Sequence, residues 1–145
     1  MTAQLAFDFT AAPVAPVRLP HGAGRRERSM RGAMAHQAGL AAEARIAQDY
    51  ERRGYPLARA RWRGKSGEID LVFRDGDGLV FVEVKKSRSH DRALQHLTRR
   101  QIHRLMRAAE EYAGTQPKGL LTEVRFDVAL VDSHGIFRVM ENAFA

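Results

Sequence analysis

Two apolar runs, over residues 68–74 and 79–85, are separated by Asp75-Gly76-Asp77-Gly78. Glycine tolerates positive φ, and an Asp-Gly step between apolar runs is the strongest short-range signal for a tight β-hairpin. The turn therefore predicts two antiparallel strands and also sets their register. Any symmetric hairpin centred between Gly76 and Asp77 places Asp70 opposite Glu83 and Glu68 opposite Lys85, whether the loop has two residues or four.

That register makes the far end of the hairpin unusual. Strand side chains alternate between faces, so Glu83 and Lys85 share a face with Leu79 and Phe81, and Glu68 shares a face with Asp70. Burying such charges is costly unless they are paired or hold a metal. Two carboxylates directly opposite each other repel, where a favourable cross-strand pair contributes about 0.2–1 kcal/mol. A divalent cation removes the repulsion, and carboxylate ligands completed by water suit Mg2+ or Mn2+. Lys85 would then stand beside the metal, placed to orient or activate a water or to stabilise charge on a phosphorane. The plainer reading of Glu83 and Lys85 is a solvated strand end.

The flanking sequence supplies a mixed α/β frame. Residues 36–53 are predicted to be helical, with Leu40, Ala44, Ala47 and Tyr50 at helical spacing and Gly54 as the glycine that ends the helix. Glu43 falls on the same stripe and is expected to reach the Asp70–Glu83 pair as a further ligand or through water. A strand over 57–63 precedes the hairpin. Thr98 with Gln101 has capping-box form and opens a second helix with apolar Ile102, Leu105, Met106, Ala109 and Ala113. Its outer face carries Arg99, Arg100, Arg104 and Arg107. Two strands follow, over 123–131 and 135–141. The order is αβββαββ, a small mixed sheet covered by helices. Residues 1–33 are rich in Ala, Pro and Gly, include the run Arg25-Arg26-Glu27-Arg28, and are expected to form a flexible basic arm ahead of a single domain over 34–145.

Composition narrows the chemistry. There is no cysteine, which excludes disulfides, thiolate metal sites and cysteine nucleophiles. The net charge is +7, carried mainly by arginine, and favours an anionic partner, of which nucleic acid is the commonest. No apolar stretch reaches membrane-spanning length and no signal peptide is evident, so a cytoplasmic protein without membrane contact is expected. Asp127, beside Arg125, reads as a structural hydrogen-bond acceptor, and Gln101 as a cap residue. Glu68 reads as a metal ligand or a partner of Lys85. Trp62 reads as core rather than as a platform for a base. His36, His90, His96 and His103 show no metal spacing.

Gly39-Leu-Ala-Ala-Glu43, Gly54-Tyr55, Gly67-Glu68-Ile69-Asp70-Leu71, Phe81-Val82-Glu83-Val84-Lys85, Arg125-Phe126-Asp127-Val128 and Glu141-Asn142-Ala143-Phe144 occur in an order that resembles the YraN-like family of bacterial endonuclease-like proteins. The match runs from about His36 to the end. The family looks like a compact branch of the PD-(D/E)xK nuclease superfamily, similar to archaeal Holliday-junction resolvases. The resemblance implies a restriction-endonuclease-like core, with Glu43 as the helix acid, Asp70 as the metal-binding aspartate, and Glu83 and Lys85 as the E-x-K pair. Asp70, Glu83 and Glu43 would hold Mg2+ or Mn2+, and all four residues would be catalytic. The expected substrate is structured or branched DNA, and a homodimer is consistent with the resemblance. The alternative is a nucleic-acid-binding module with a vestigial site, acting in a repair or recombination complex. The chain departs from the family pattern in a short 87–97 segment, in Lys86, and in the N-terminal arm.

Overall fold

The computed structural model describes residues 24–88 and 97–144. The elements are α1 (Gly24–Arg52), β1 (Leu57–Arg63), β2 (Glu68–Asp75), β3 (Gly78–Lys86), α2 (Arg99–Ala113), a 3-10 turn (Gly119–Leu121), β4 (Val124–Val131) and β5 (Phe137–Met140). The hairpin closes as its glycines require. Asp75 pairs with Gly78 across the Gly76-Asp77 turn, and Gly76 has φ +58°.

The five strands lie in the order β1-β2-β3-β4-β5, all neighbours antiparallel except β3 and β4, which run parallel. A parallel pair needs a long crossover, and α2 lies within the one that joins β3 to β4. The result is a mixed α/β protein with a five-stranded sheet flanked by helices.

The two faces of the sheet bury different stripes. Ala42, Ile46, Ala47 and Tyr50 of α1 pack on Leu71, Phe73, Val80, Val82 and Val84. On the other face Ala108, Ala109 and Tyr112 of α2 pack on Ile69, Val72, Leu79 and Phe81, with Trp62 partly buried at the margin. The β3 alternation is the one its sequence predicts. In β2 it slips at Asp70: Ile69 and Val72 pack on the α2 side, Leu71 and Phe73 on the α1 side.

One helix boundary and two buried stripes differ from the sequence reading. Helix α1 begins at Gly24 rather than near residue 36, so 24–35 are helical as well; residues 1–23 lie outside the described residues, as do 89–96 with His90 and His96. The buried stripe of α1 is also displaced. Leu40 is exposed, as is Ala44, while Ala42 and Ile46 are fully buried with Ala47 and Tyr50. Leu40 and Ala44 share a 3.6-residue period with Ala47, but the period fixes only the spacing; the sheet selects the face. Met106 of α2 is likewise exposed, and Ala108 and Tyr112 hold the core instead.

Asp127 meets the structural role read from the sequence. It is buried and accepts from the Tyr50 hydroxyl (2.6 Å), from Arg125 Nε and Nη2 (both 2.9 Å) and from the Asn142 amide (3.0 Å). These bonds tie α1, β4 and the C-terminal turn together. Burial and the Asp127 carboxylate push the Tyr50 hydroxyl far above its usual range. The hydrogen bonds to Asp127 likewise hold Arg125 above the ordinary guanidinium value.

Candidate active site

The β2–β3 ladder runs from Asp75↔Gly78 to Leu71↔Val82. Asp70 and Glu83 are the next residues on each strand, and there the sheet forks. β2 continues as a partner of β1 alone, through Trp62↔Ile69 and Arg63↔Glu68. β3 continues beside β4 alone, through Lys85↔Leu130 and Lys86↔Val131. The Val84 N–H, left without an acceptor from β2's backbone, donates to Asp70 Oδ2 at 2.8 Å. A carboxylate thus replaces a carbonyl at the point where the strands separate.

The fork opens into a cleft of about 250 Å3 lined by Glu68, Asp70, Glu83, Lys85, Gln101, Arg104 and Leu105. Three of the four expected catalytic residues meet there. Glu83 and Lys85, two apart on one face of β3, form an ion pair of 3.1 Å, with side chains 16% and 21% exposed. Burial raises the Asp70 carboxyl from 3.8 to about 7, and the neighbouring Glu83 charge adds to the rise. The Val84 N–H opposes it, and Glu43 contributes a smaller repulsion.

Glu43 is close enough to act on Asp70 electrostatically but makes its own contact elsewhere. Its Oε2 accepts from Arg61 Nε at 3.1 Å, and its side chain is 13% exposed. Arg61 has φ +51°, a conformation costly for a residue with a Cβ, within a β-strand. That kink turns with the face switch in β2 opposite. Sequence alternation has no means of revealing it.

The expected pairing of Glu68 with Lys85 is replaced by local partners. Glu68 binds Arg63 across β1 at 3.2 Å, and Lys85 binds Glu83. Among the described residues no group of three His, Asp or Glu side chains gathers tightly enough to hold a metal. The donor set at the fork is therefore two carboxylates, Asp70 and Glu83. That set fits Mg2+, which keeps most of its waters and is commonly held by one or two carboxylates with substrate phosphates.

Gln101 and Arg104 were placed by the sequence on α2 without a site. Thr98 caps the helix as predicted, its hydroxyl accepting from the Gln101 amide and Gln101 Oε1 from the Thr98 N–H. Gln101 therefore serves the cap and also reaches the cleft. Trp62 stands edge-on to Tyr112 with centroids 5.2 Å apart, as a core margin rather than a free stacking surface.

A mixed α/β sheet with an acidic fork at the end of a hairpin defines the class. Its family is shown by comparison: residues 42–131 match the description "Uncharacterised protein family UPF0102". A UPF0102 protein of Ruegeria pomeroyi is 56% identical over 114 residues, covering 79% of this chain and 93% of that one. One from Cereibacter sphaeroides is 51% identical over 116 residues, covering 80% and 99%. One from Dinoroseobacter shibae is 45% identical over 117 residues, covering 81% and 87%. The chain belongs to the UPF0102 family, the YraN-like group that its motifs resemble. No helix among the described residues is long and apolar enough to cross a membrane.

Proposed function

We propose that this protein is a divalent-metal-dependent endonuclease with a restriction-endonuclease-like core, a member of the PD-(D/E)xK nucleases that cleaves phosphodiester bonds in structured or branched DNA. The observation that carries the reading is the fork: two carboxylates forced together, one of them without an ion-pair partner among the described residues, with a lysine 3.1 Å from the other. A core sheet tolerates that arrangement poorly unless a cation joins it.

Asp70 and Glu83 would hold Mg2+ or Mn2+, which when bound supplies Lewis-acid stabilisation of the charge developing on the phosphate. The Val84 N–H fixes one Asp70 oxygen and so orients the other. Glu83 anchors the Lys85 ammonium, which would orient the attacking water and stabilise the equatorial oxygens of the transition state. Glu43, held by Arg61, acts on the site through its charge or through a water rather than in the tight pair.

A second reading has support in that Arg61 contact: a nucleic-acid-binding module with a vestigial site, acting in a repair or recombination complex. Labelled junction, flap and duplex DNA incubated with Mg2+ or Mn2+, beside EDTA controls, separates the two. Cleavage is expected from the wild type and lost in Asp70→Asn and Lys85→Ala. Cleavage surviving in both variants would overturn the site assignment, and binding without cleavage under every condition would favour the module.

A further inference from the structure

Beside the acidic cleft lies a larger groove of opposite charge. It is open, about 750 Å3, and lined by Lys65, Ser66, Arg100, His103, Arg104 and Arg107. Arg104 lines both depressions, so they adjoin at that side chain. One wall is the loop between β1 and β2; the other is the outer face of α2. Arg100, Arg104 and Arg107 recur at spacings of four and three, which puts them on one side of the helix.

Two contacts fix the walls. Glu111 of α2 accepts the Lys65 N–H with both oxygens, at 3.1 and 3.0 Å, anchoring the loop to the helix. Gly67 has φ +154°, and a Cβ there would stand 3.1 Å from Arg104 Cγ and Cδ. The absence of that side chain lets the Arg104 stem lie against the loop. None of Lys65, Arg100, Arg104 and Arg107 forms an ion pair among the described residues. By contrast, Arg53, Arg61, Arg63 and Arg125 each sit on a carboxylate.

We propose that this groove is a phosphate track that holds the backbone of duplex nucleic acid and leads it to the Asp70–Glu83 cleft, with Arg104 as the positioning residue between them. The assignment rests on the nuclease reading for what happens at the end of the track, but not for the binding itself. From Arg100 to Arg107 the helix rises about 10 Å. That matches about three phosphate-to-phosphate steps along one strand at roughly 3.4 Å of axis each. Among the described residues no Phe, Tyr or Trp lines the groove, whose one ring is the His103 imidazole, and single-stranded binders depend on stacking platforms. The recognition chemistry is thus charge on a regular backbone, without base readout.

The test measures binding in an Asp70→Asn background, where cleavage is not required. Fluorescence anisotropy with a short labelled duplex is recorded across roughly 50 to 200 mM salt, the range over which phosphate contacts weaken most visibly. Arg100→Ala with Arg107→Ala is expected to lower the slope of log affinity against log salt by about two. The advantage of the parent over this double variant should therefore shrink on the order of tenfold across that range. Arg74→Ala, at the opposite end of β2, is expected to leave the slope unchanged. An Arg100→Gln, Arg107→Gln pair with an unaltered melting temperature guards against lost folding. An unchanged slope in the groove variants, or tighter binding of a single strand than of the duplex, overturns the proposal. Groove-dependent binding by a wild type that never cuts supports the track and refutes the nuclease reading alone.

Discussion

Asp70→Asn should stabilise the protein, and by an amount that depends on pH. The carboxyl is raised from 3.8 to about 7 by burial and by Glu83. The folded chain therefore holds the Asp70 proton more tightly than the unfolded chain. Stability from this group is fully present below about pH 4, where both states are protonated, and is lost as pH rises through about 7. At about 1.4 kcal/mol per tenfold change, the loss is roughly 2 kcal/mol by pH 5.5 and roughly 4 kcal/mol above pH 8. Asparagine removes the titration but keeps an oxygen to accept the Val84 N–H now bound at 2.8 Å. Urea unfolding of both proteins at several pH values is the assay. The variant's advantage should be small near pH 4, grow through neutrality, and level off above pH 8. Divalent cation should narrow the gap: at about a hundredfold excess over its dissociation constant it adds about 2.7 kcal/mol to the wild type. The variant, with one carboxylate, should gain far less. A difference that is flat with pH, or an Asn variant less stable at every pH, would refute the claim that the fork forces two charges together.

Glu83→Gln should pull the Asp70 titration downward, toward the ordinary carboxylate range, because it removes the second-largest cause of the rise. Carbon-detected NMR of the side-chain carboxyl reads it directly, and an unmoved titration would show that burial alone sets the value. Asp127→Ala should cost about 3–5 kcal/mol by chemical denaturation, since it leaves the partly buried Arg125 guanidinium and the Tyr50 hydroxyl without their acceptor. A loss under about 1 kcal/mol would mean the network is incidental. Thr98→Ala should cost about 1 kcal/mol through the lost cap on α2, which is seen at 3.2 Å to the Gln101 amide. An unchanged melting temperature would count against the capping box as a contributor to stability.

The elements were legible because each rests on local chemistry. The Asp-Gly turn fixed the hairpin and its register, and that register is the one observed, down to the pair Leu71↔Val82. The capping box at Thr98 and the glycine at 54, with φ +97°, placed two helix ends for the same reason. What the residues could not disclose is which face of a helix the sheet covers, as the exposure of Leu40 shows. The bringing together of Asp70, Glu83 and Lys85 followed from alternation and register. Glu43 required a tertiary fact: whether its cation is a metal or Arg61. The basic groove had the same difficulty, because Lys65 and Arg107 belong to elements that only packing joins.

The charges around the fork suggest why one carboxylate is left so costly. Glu43 has Arg61 and Glu83 has Lys85, whereas Asp70 has only a peptide N–H. Three carboxylates against two cations leave one negative charge, and it resides on the most strongly perturbed group. A protein that needed only stability would neutralise Asp70 as it neutralises Asp127, with a guanidinium at 2.9 Å. A proton can serve instead near pH 7, which is what the raised titration expresses. A dication does more: it would turn an excess of one negative charge into an excess of one positive, the complement of a single phosphodiester. Arg104 stands at the same cleft with no acid of its own among the described residues. Filling the fork therefore strengthens its attraction for a phosphate, so metal and nucleic acid should bind with positive coupling, each raising the affinity for the other by the same factor.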